Sequence, residues 1–232
     1  MIEVHKLIKR FGSKTVLRGI EFKVQPGEFV ALLGPNGSGK TTFLHILATL
    51  SKPSIGEIRI AGFHLPSQAS SVRQQIGVVT HQPLLYGDLT AEENLLFYGR
   101  MYAIPDIGNR IAEVLAMIGL LARRHDLVRT FSRGMQQRLA IGRAVLHNPD
   151  VMLFDEPYTG LDQDASTMLD DVLQTVASHG RTVVMTSHDL TRAEDLATRF
   201  DILSRGVITA SIHREELGQD NLLSFYRQAL AT

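Results

Sequence analysis

Nine residues, Gly34-Pro35-Asn36-Gly37-Ser38-Gly39-Lys40-Thr41-Thr42, bring glycines, hydroxyls and one lysine together at a spacing that suits phosphate chemistry. In such a loop the backbone N–H groups converge on phosphate oxygens, and a helix starting at its end adds positive potential. Lys40 is placed to reach the β- and γ-phosphates of a nucleoside triphosphate, and the Thr41 hydroxyl to complete a Mg²⁺ shell. Hydrolysis further needs one carboxylate for the metal and one to aim water. Val151-Met152-Leu153-Phe154-Asp155-Glu156 supplies both at the end of an apolar run. Asp155 is the expected Mg²⁺ ligand, and Glu156 polarises the attacking water, a role that carries roughly 10²–10⁴-fold in rate.

Both groups need rigid elements beneath them. Phe29-Val30-Ala31-Leu32-Leu33 has the length and composition of a buried strand, and Phe43 to Ala48 continues past the loop as a helix. Shorter β-like pieces precede it (Ile2–Val4, Thr15–Leu17, Ile20–Val24), with Pro26-Gly27-Glu28 as the turn into the loop strand. Ser54 to Gly62 reads as a turn and an edge strand, and Ile76 to Thr80 as a further strand. From Thr90 the pattern turns helical: Thr90-Ala91-Glu92-Glu93 has capping-box spacing, and Ile111–Leu121 and Met135–Val145 carry apolar residues at helical period. Strands return at Val151–Phe154 and Thr182–Met185 with helix Ala165–Ala177 between them, then a hairpin around Ser204-Arg205-Gly206. The tail from Arg214 to Thr232 reads as a short helix with no room for an added regulatory domain.

At 232 residues, 44% hydrophobic and 21% charged, the chain suits one soluble α/β domain with an insert. Twenty-four basic residues balance 24 acidic ones, which disfavours nucleic acid as the main partner. The absence of cysteine excludes disulfides and thiolate metal sites. No apolar run is long enough to span a bilayer, and no leader pattern opens the chain, so membrane contact is expected only through a partner.

Between the loop and the acidic strand stands Thr130-Phe131-Ser132-Arg133-Gly134-Met135-Gln136-Gln137-Arg138-Leu139. With the loop and the acids, this segment resembles the signature of ATP-binding subunits of ABC transporters, over nearly the whole chain from Ile2 to about Ile212. The resemblance implies a P-loop NTPase (RecA-like) core, residues 1–85 and 150–212, with an N-terminal antiparallel β subdomain. A helical signature subdomain is inserted at 86–149, and a tail follows at 213–232. The cofactors it implies are ATP and Mg²⁺. Ser132, Gly134 and Gln136 are expected to meet the γ-phosphate of ATP bound to a second ATP-binding subunit, so that two copies sandwich two nucleotides. Phe131, Arg133 and Met135 depart from the usual leucine-serine-glycine-glycine-glutamine form, and hydrolysis is expected to survive them.

By the same resemblance Gln82 matches the glutamine that ligates Mg²⁺ and senses the partner, and Leu84–Leu89 borders a groove for a transmembrane permease. His188 matches the switch histidine that contacts γ-phosphate and orients Glu156. Asp162, in Thr159-Gly160-Leu161-Asp162, matches the residue linking the two sites. Phe11 stands where the family stacks an aromatic on adenine, with Val16 nearby. The other eight histidines (5, 45, 64, 81, 125, 147, 179 and 213) show no metal spacing and read as incidental. The implied place is the cytoplasmic side of the cell membrane, held there by permease subunits. Several short matches, His81 to Tyr86 and Asp155 to Asp162 among them, resemble the ATPase of the haem exporter of cytochrome c maturation. A multidrug- or lipid-type exporter is the alternative, and a soluble ABC-type ATPase acting on ribosomes or DNA a third reading.

Overall fold

The computed structural model describes residues 1–217 and 221–231. β1 (Ile2–Phe11) and β2 (Lys14–Val24) pair as a hairpin, and β3 (Phe29–Leu33) leaves them for a second sheet. β4 (Ile55–Ile60) and β5 (Phe63–Leu65) return to complete an antiparallel sheet in the order β2-β1-β4-β5. β4 is therefore an interior strand, not the edge expected of Ser54–Gly62, because β5 bonds its free side.

Between these elements lie α1 (Lys40–Leu47), α2 (Ala69–Gln75) and β6 (Ile76–Val79). Then come α3 (Ala91–Met101), α4 (Ile107–Met117) and α5 (Arg133–Val145). The last part holds β7 (Val151–Asp155), α6 (Gln163–Ser178), β8 (Thr182–Ser187), α7 (Leu190–Leu196), β9 (Arg199–Ser204), β10 (Val207–His213) and α8 (Leu222–Ala231). The second sheet runs β10-β9-β3-β8-β7-β6, parallel throughout except for β10. The tail forms a short 3-10 turn, Arg214–Glu216, and then α8; residues 218–220 and 232 lie outside the described residues.

Parallel strands covered on both faces read as continuous apolar runs, and β3 and β7 are buried at every position. Successive side chains point to opposite faces. Val30, Leu32 and Leu153 pack with Phe43, Leu44 and Leu47 of α1 against Ile2, Ile20 and Ile58 of the antiparallel sheet. Ala31, Leu33, Met152 and Phe154 face the helices, meeting Leu139 and Ile141 of α5 and Leu169 and Leu173 of α6. The expected capping box is formed: Glu93 N–H donates to Thr90 Oγ1 (3.1 Å) and Thr90 N–H to Glu93 Oε2 (2.8 Å).

His147, just beyond α5, stacks on Tyr102 with ring centres 3.9 Å apart, and its Nε2 lies 3.1 Å from the Ile76 carbonyl. Burial lowers its pKa from 6.5 to about 4. The unfolded chain then takes up this proton at higher pH than the folded one. Its contribution to stability is therefore present above pH 6.5 and lost as pH falls towards 4. Melting temperatures followed across that window are expected to fall less steeply for His147→Phe than for the parent.

Candidate active site

The phosphate loop runs from the end of β3 into α1. Gly34 has φ +156°, and a Cβ there would stand 2.1 Å from the Leu203 carbonyl oxygen, so the loop lies against β9 where no side chain fits. Lys40 is buried at 5% exposure; its Nζ donates to the Gly34 carbonyl (2.8 Å) and lies 3.5 Å from Glu156 Oε1. Ser38 Oγ is buried with no hydrogen-bond partner among the described residues. An orphaned hydroxyl, a buried ammonium and a loop with no room for a Cβ together fit a phosphate group.

Asp155 and Glu156 follow one another, yet they are held differently. Asp155, 2% exposed, accepts from Thr41 Oγ1 (3.1 Å) and Thr186 Oγ1 (2.8 Å) on the same carboxylate oxygen. His45 Nε2 lies 3.8 Å from its other oxygen. Glu156 sits at φ +48°, a left-handed conformation that costs on the order of 1–3 kcal/mol for a residue with a Cβ. Its N–H offsets part of that cost by donating to Thr186 Oγ1 (3.0 Å) and the Thr186 carbonyl (3.2 Å). The turn aims Glu156 so that Oε2 accepts from His188 Nδ1 (2.7 Å) while Oε1 faces Lys40. A carboxylate only accepts, so Nδ1 carries the proton.

Thr186 and His45 were not among the expected site residues. Thr186 is a polar residue inside the fully buried β8, a position that needs a hydrogen-bond partner. His45 follows Thr41 by four residues on α1, the spacing of a shared helix face, which brings its ring near Asp155. Both meet Asp155 only through the fold.

A cleft of about 330 Å³ joins Asn36, Gly37, Gly39, Lys40, Thr41 and Thr42 to Glu156 and Val16. Phe11, at the end of β1, does not line it; the ring is 54% exposed, with Lys9 Nζ 4.6 Å from its centre. Gln82 is exposed, its carbonyl accepting from Thr80 Oγ1 (2.7 Å). Ser132 caps α5, accepting from Met135 N–H (3.3 Å), and is exposed away from the cleft. Gly134 is buried against α6, where a Cβ would stand 2.6 Å from Ala165 Cβ. The Gln136 amide is turned inward, donating to the Val128 and Phe131 carbonyls (both 3.4 Å). Asp162 caps α6 by accepting from Ala165 N–H (2.8 Å), and lines a second cavity, about 290 Å³, with Glu156 and His188. Within one chain the loop and Glu156 share a cleft, Asp155 bonds Thr41 and His188 bonds Glu156, while Ser132, Gly134 and Gln136 do not line that cleft.

A family model described as ABC transporter matches residues 17–159. The chain belongs to the ABC transporter family. This ABC subunit is 36% identical over 212 residues to the linearmycin resistance ATP-binding protein LnrL of Bacillus subtilis, covering 90% of this chain and 68% of that one. It is 38% identical over 207 residues to the Nod factor export ATP-binding protein I of Paraburkholderia xenovorans, covering 88% and 68%. Among solved structures, an ATP-binding subunit of an ABC transporter superposes with a TM-score of 0.88 at 30% identity, covering 99% of both chains. The cassette MJ0796, in its dimeric structure, gives 0.83 at 30% identity over 92% of this chain and 99% of that one. The fold is thus that of an ABC ATPase, and the chain is an ATP-binding, ATP-hydrolysing subunit of an ABC transporter. The expected haem-exporter subgroup finds no support here, since these relatives are named for linearmycin resistance and Nod factor export.

Proposed function

We propose that this chain powers an export-type ABC transporter, closing with a second ATP-binding subunit on two ATP molecules and driving transmembrane permease subunits. The exposure of Ser132 at the start of α5, outside the lining of the Lys40–Glu156 cleft, carries the reading. A serine at a helix N-terminus, open to solvent, suits a phosphate presented by another chain. MJ0796, similar in fold, is a dimer in its solved structure, and the Nod factor relative is named for export. The core takes residues 1–85 and 150–212, the signature insert 86–149, and the tail 213–232.

Within each cleft Lys40 neutralises phosphate charge, while Glu156 accepts the proton of the attacking water. His188 holds Glu156 Oε2, which fixes the direction of the other oxygen. Thr41 and Asp155, with Gln82 approaching from its loop, would hold Mg²⁺, whose charge would stabilise the phosphates of bound ATP.

Among the described residues no helix is long and apolar enough to cross a membrane. The surface offered to a permease lies between the end of α1 and α3, where the exposed side chains of Leu50 and Leu84 line one apolar hollow with Tyr98 and Tyr102. Clustered apolar exposure of this kind marks a protein contact. Permease binding there would hold the chain on the cytoplasmic face of the membrane. Affinity capture from native cells in mild detergent tests the proposal. A stoichiometric integral membrane protein is the expected companion, and ribosomal or DNA-processing proteins in its place would overturn it.

A further inference from the structure

We propose that Tyr158, Asp170 and Arg192 form a clamp that sets His188 against Glu156, with Arg192 as a positioning residue for hydrolysis. The inference rests on the roles given above to Glu156 and His188. These two residues leave the sheet on neighbouring strands, β7 and β8, and each begins a loop. Their mutual hydrogen bond is short, yet the His188 side chain is 62% exposed. Little packing on the imidazole itself restrains it, so the loops must fix the distance.

Both loops are tied to one carboxylate. Tyr158, two residues after Glu156, donates its hydroxyl to Asp170 Oδ1 (2.6 Å). Arg192, four residues after His188, donates from Nη1 to Asp170 Oδ2 (2.6 Å). The Arg192 guanidinium carbon also lies 5.0 Å from the centre of the Tyr158 ring, and Nη2 donates to Gln163 Oε1 (3.3 Å). At its root, Arg192 N–H donates to Asp189 Oδ1 (3.2 Å), while Asp189 N–H donates to Ser187 Oγ (3.0 Å). His188 is thus flanked by two residues whose backbones are pinned. Asp170, on the rigid α6, is the common anchor.

The pairing is sheltered enough to matter. Arg192 is 14% exposed and Asp170 27%, unlike the surface ion pairs that contribute little. Burial and the Asp170 bond both raise the pKa of Tyr158, so its hydroxyl stays protonated and remains a donor. Glu156, His188, Tyr158 and Arg192 also line one cavity, so the clamp borders the reacting groups instead of stapling two distant helices. A displacement of about 1 Å in a catalytic group costs up to about 10²-fold in rate.

A double-mutant cycle on the full chain decides the matter, reading ATP turnover, KM for ATP and melting temperature. Arg192→Met keeps the apolar stem and removes the fork. It is expected to lower kcat about 10-fold with KM changed less than about two-fold. In a His188→Ala background the same change is expected to lower kcat no further, because the clamp acts through that imidazole. Tyr158→Phe, which deletes one hydroxyl, should give a smaller loss with the same dependence on His188, and carries the test if Arg192→Met does not fold. Equal losses in both backgrounds, or no loss in the parent, overturn the clamp. Parental turnover by His188→Ala alone overturns the role of His188, and the proposal with it.

Discussion

Glu156→Gln binds ATP, turns it over roughly 10²–10⁴-fold more slowly than the parent, and collects as a nucleotide-dependent dimer. The substitution keeps the shape of the side chain and removes its proton affinity. In the parent, Oε2 accepts from His188 Nδ1 at 2.7 Å and Oε1 lies 3.5 Å from Lys40 Nζ, so both oxygens are oriented, and the carboxylate they share is the group that takes the proton. An amide in that place accepts no proton from water, and the hydrolytic step stalls. One negative charge also leaves a cleft that takes in a polyanion, which favours ATP retention. If two chains close on two ATP molecules and reopen only after hydrolysis, the closed pair accumulates. Phosphate release and size-exclusion chromatography with and without Mg·ATP read both effects. The parent is expected to run as a monomer without nucleotide. Parental turnover by the variant would remove Glu156 from its role, and a parent that is dimeric without nucleotide would contradict the opening and closing.

What could be read beforehand follows from the range of the forces involved. The phosphate loop, the strand that ends in Asp155 and Glu156, and the cap at Thr90 are local patterns, where neighbouring residues decide the outcome. The long hairpin β1–β2 was visible only in pieces. Register shifts between Val4 and Leu7 and between Lys9 and Arg10 break the alternation that marks a strand, and Lys6 has φ +49°. α2 and α7, at seven residues each, are too short for helical period to stand out, and β5 has three. The inner support of the site was the least legible part. Thr186 reaches Asp155 across 31 positions and Thr41 reaches it across 114, and no pattern in a single chain announces such pairs. Gln136 shows the opposite case: a residue in a recognisable motif whose amide satisfies carbonyls of its own chain.

Lys40→Met is expected to weaken ATP binding about 10–100-fold while leaving the melting temperature close to that of the parent. Three terms act on the fold, and they oppose one another. Removing a buried ammonium relieves its desolvation cost. It also leaves the Gly34 carbonyl without its 2.8 Å donor and Glu156 without a cation 3.5 Å away. Glu156 keeps His188, and the methionine stem fills the same space, so the sum is small. On binding there is no such cancellation. A charge-assisted hydrogen bond to phosphate contributes about 1.5–3 kcal/mol, and among the described residues the other cation lining the cleft is the exposed Lys14, against a buried Lys40. Part of the gross energy is offset in the parent, because Nζ must give up the Gly34 carbonyl to reach a phosphate oxygen. That exchange places the expected loss in the tens-fold range and not higher. Lys40→Arg is no conservative rescue: a planar fork does not fit a slot shaped around a point charge at 5% exposure. Calorimetric titration with ATP and thermal denaturation of the same samples separate the two effects. A folded Lys40→Met chain with parental ATP affinity would place the triphosphate outside this loop.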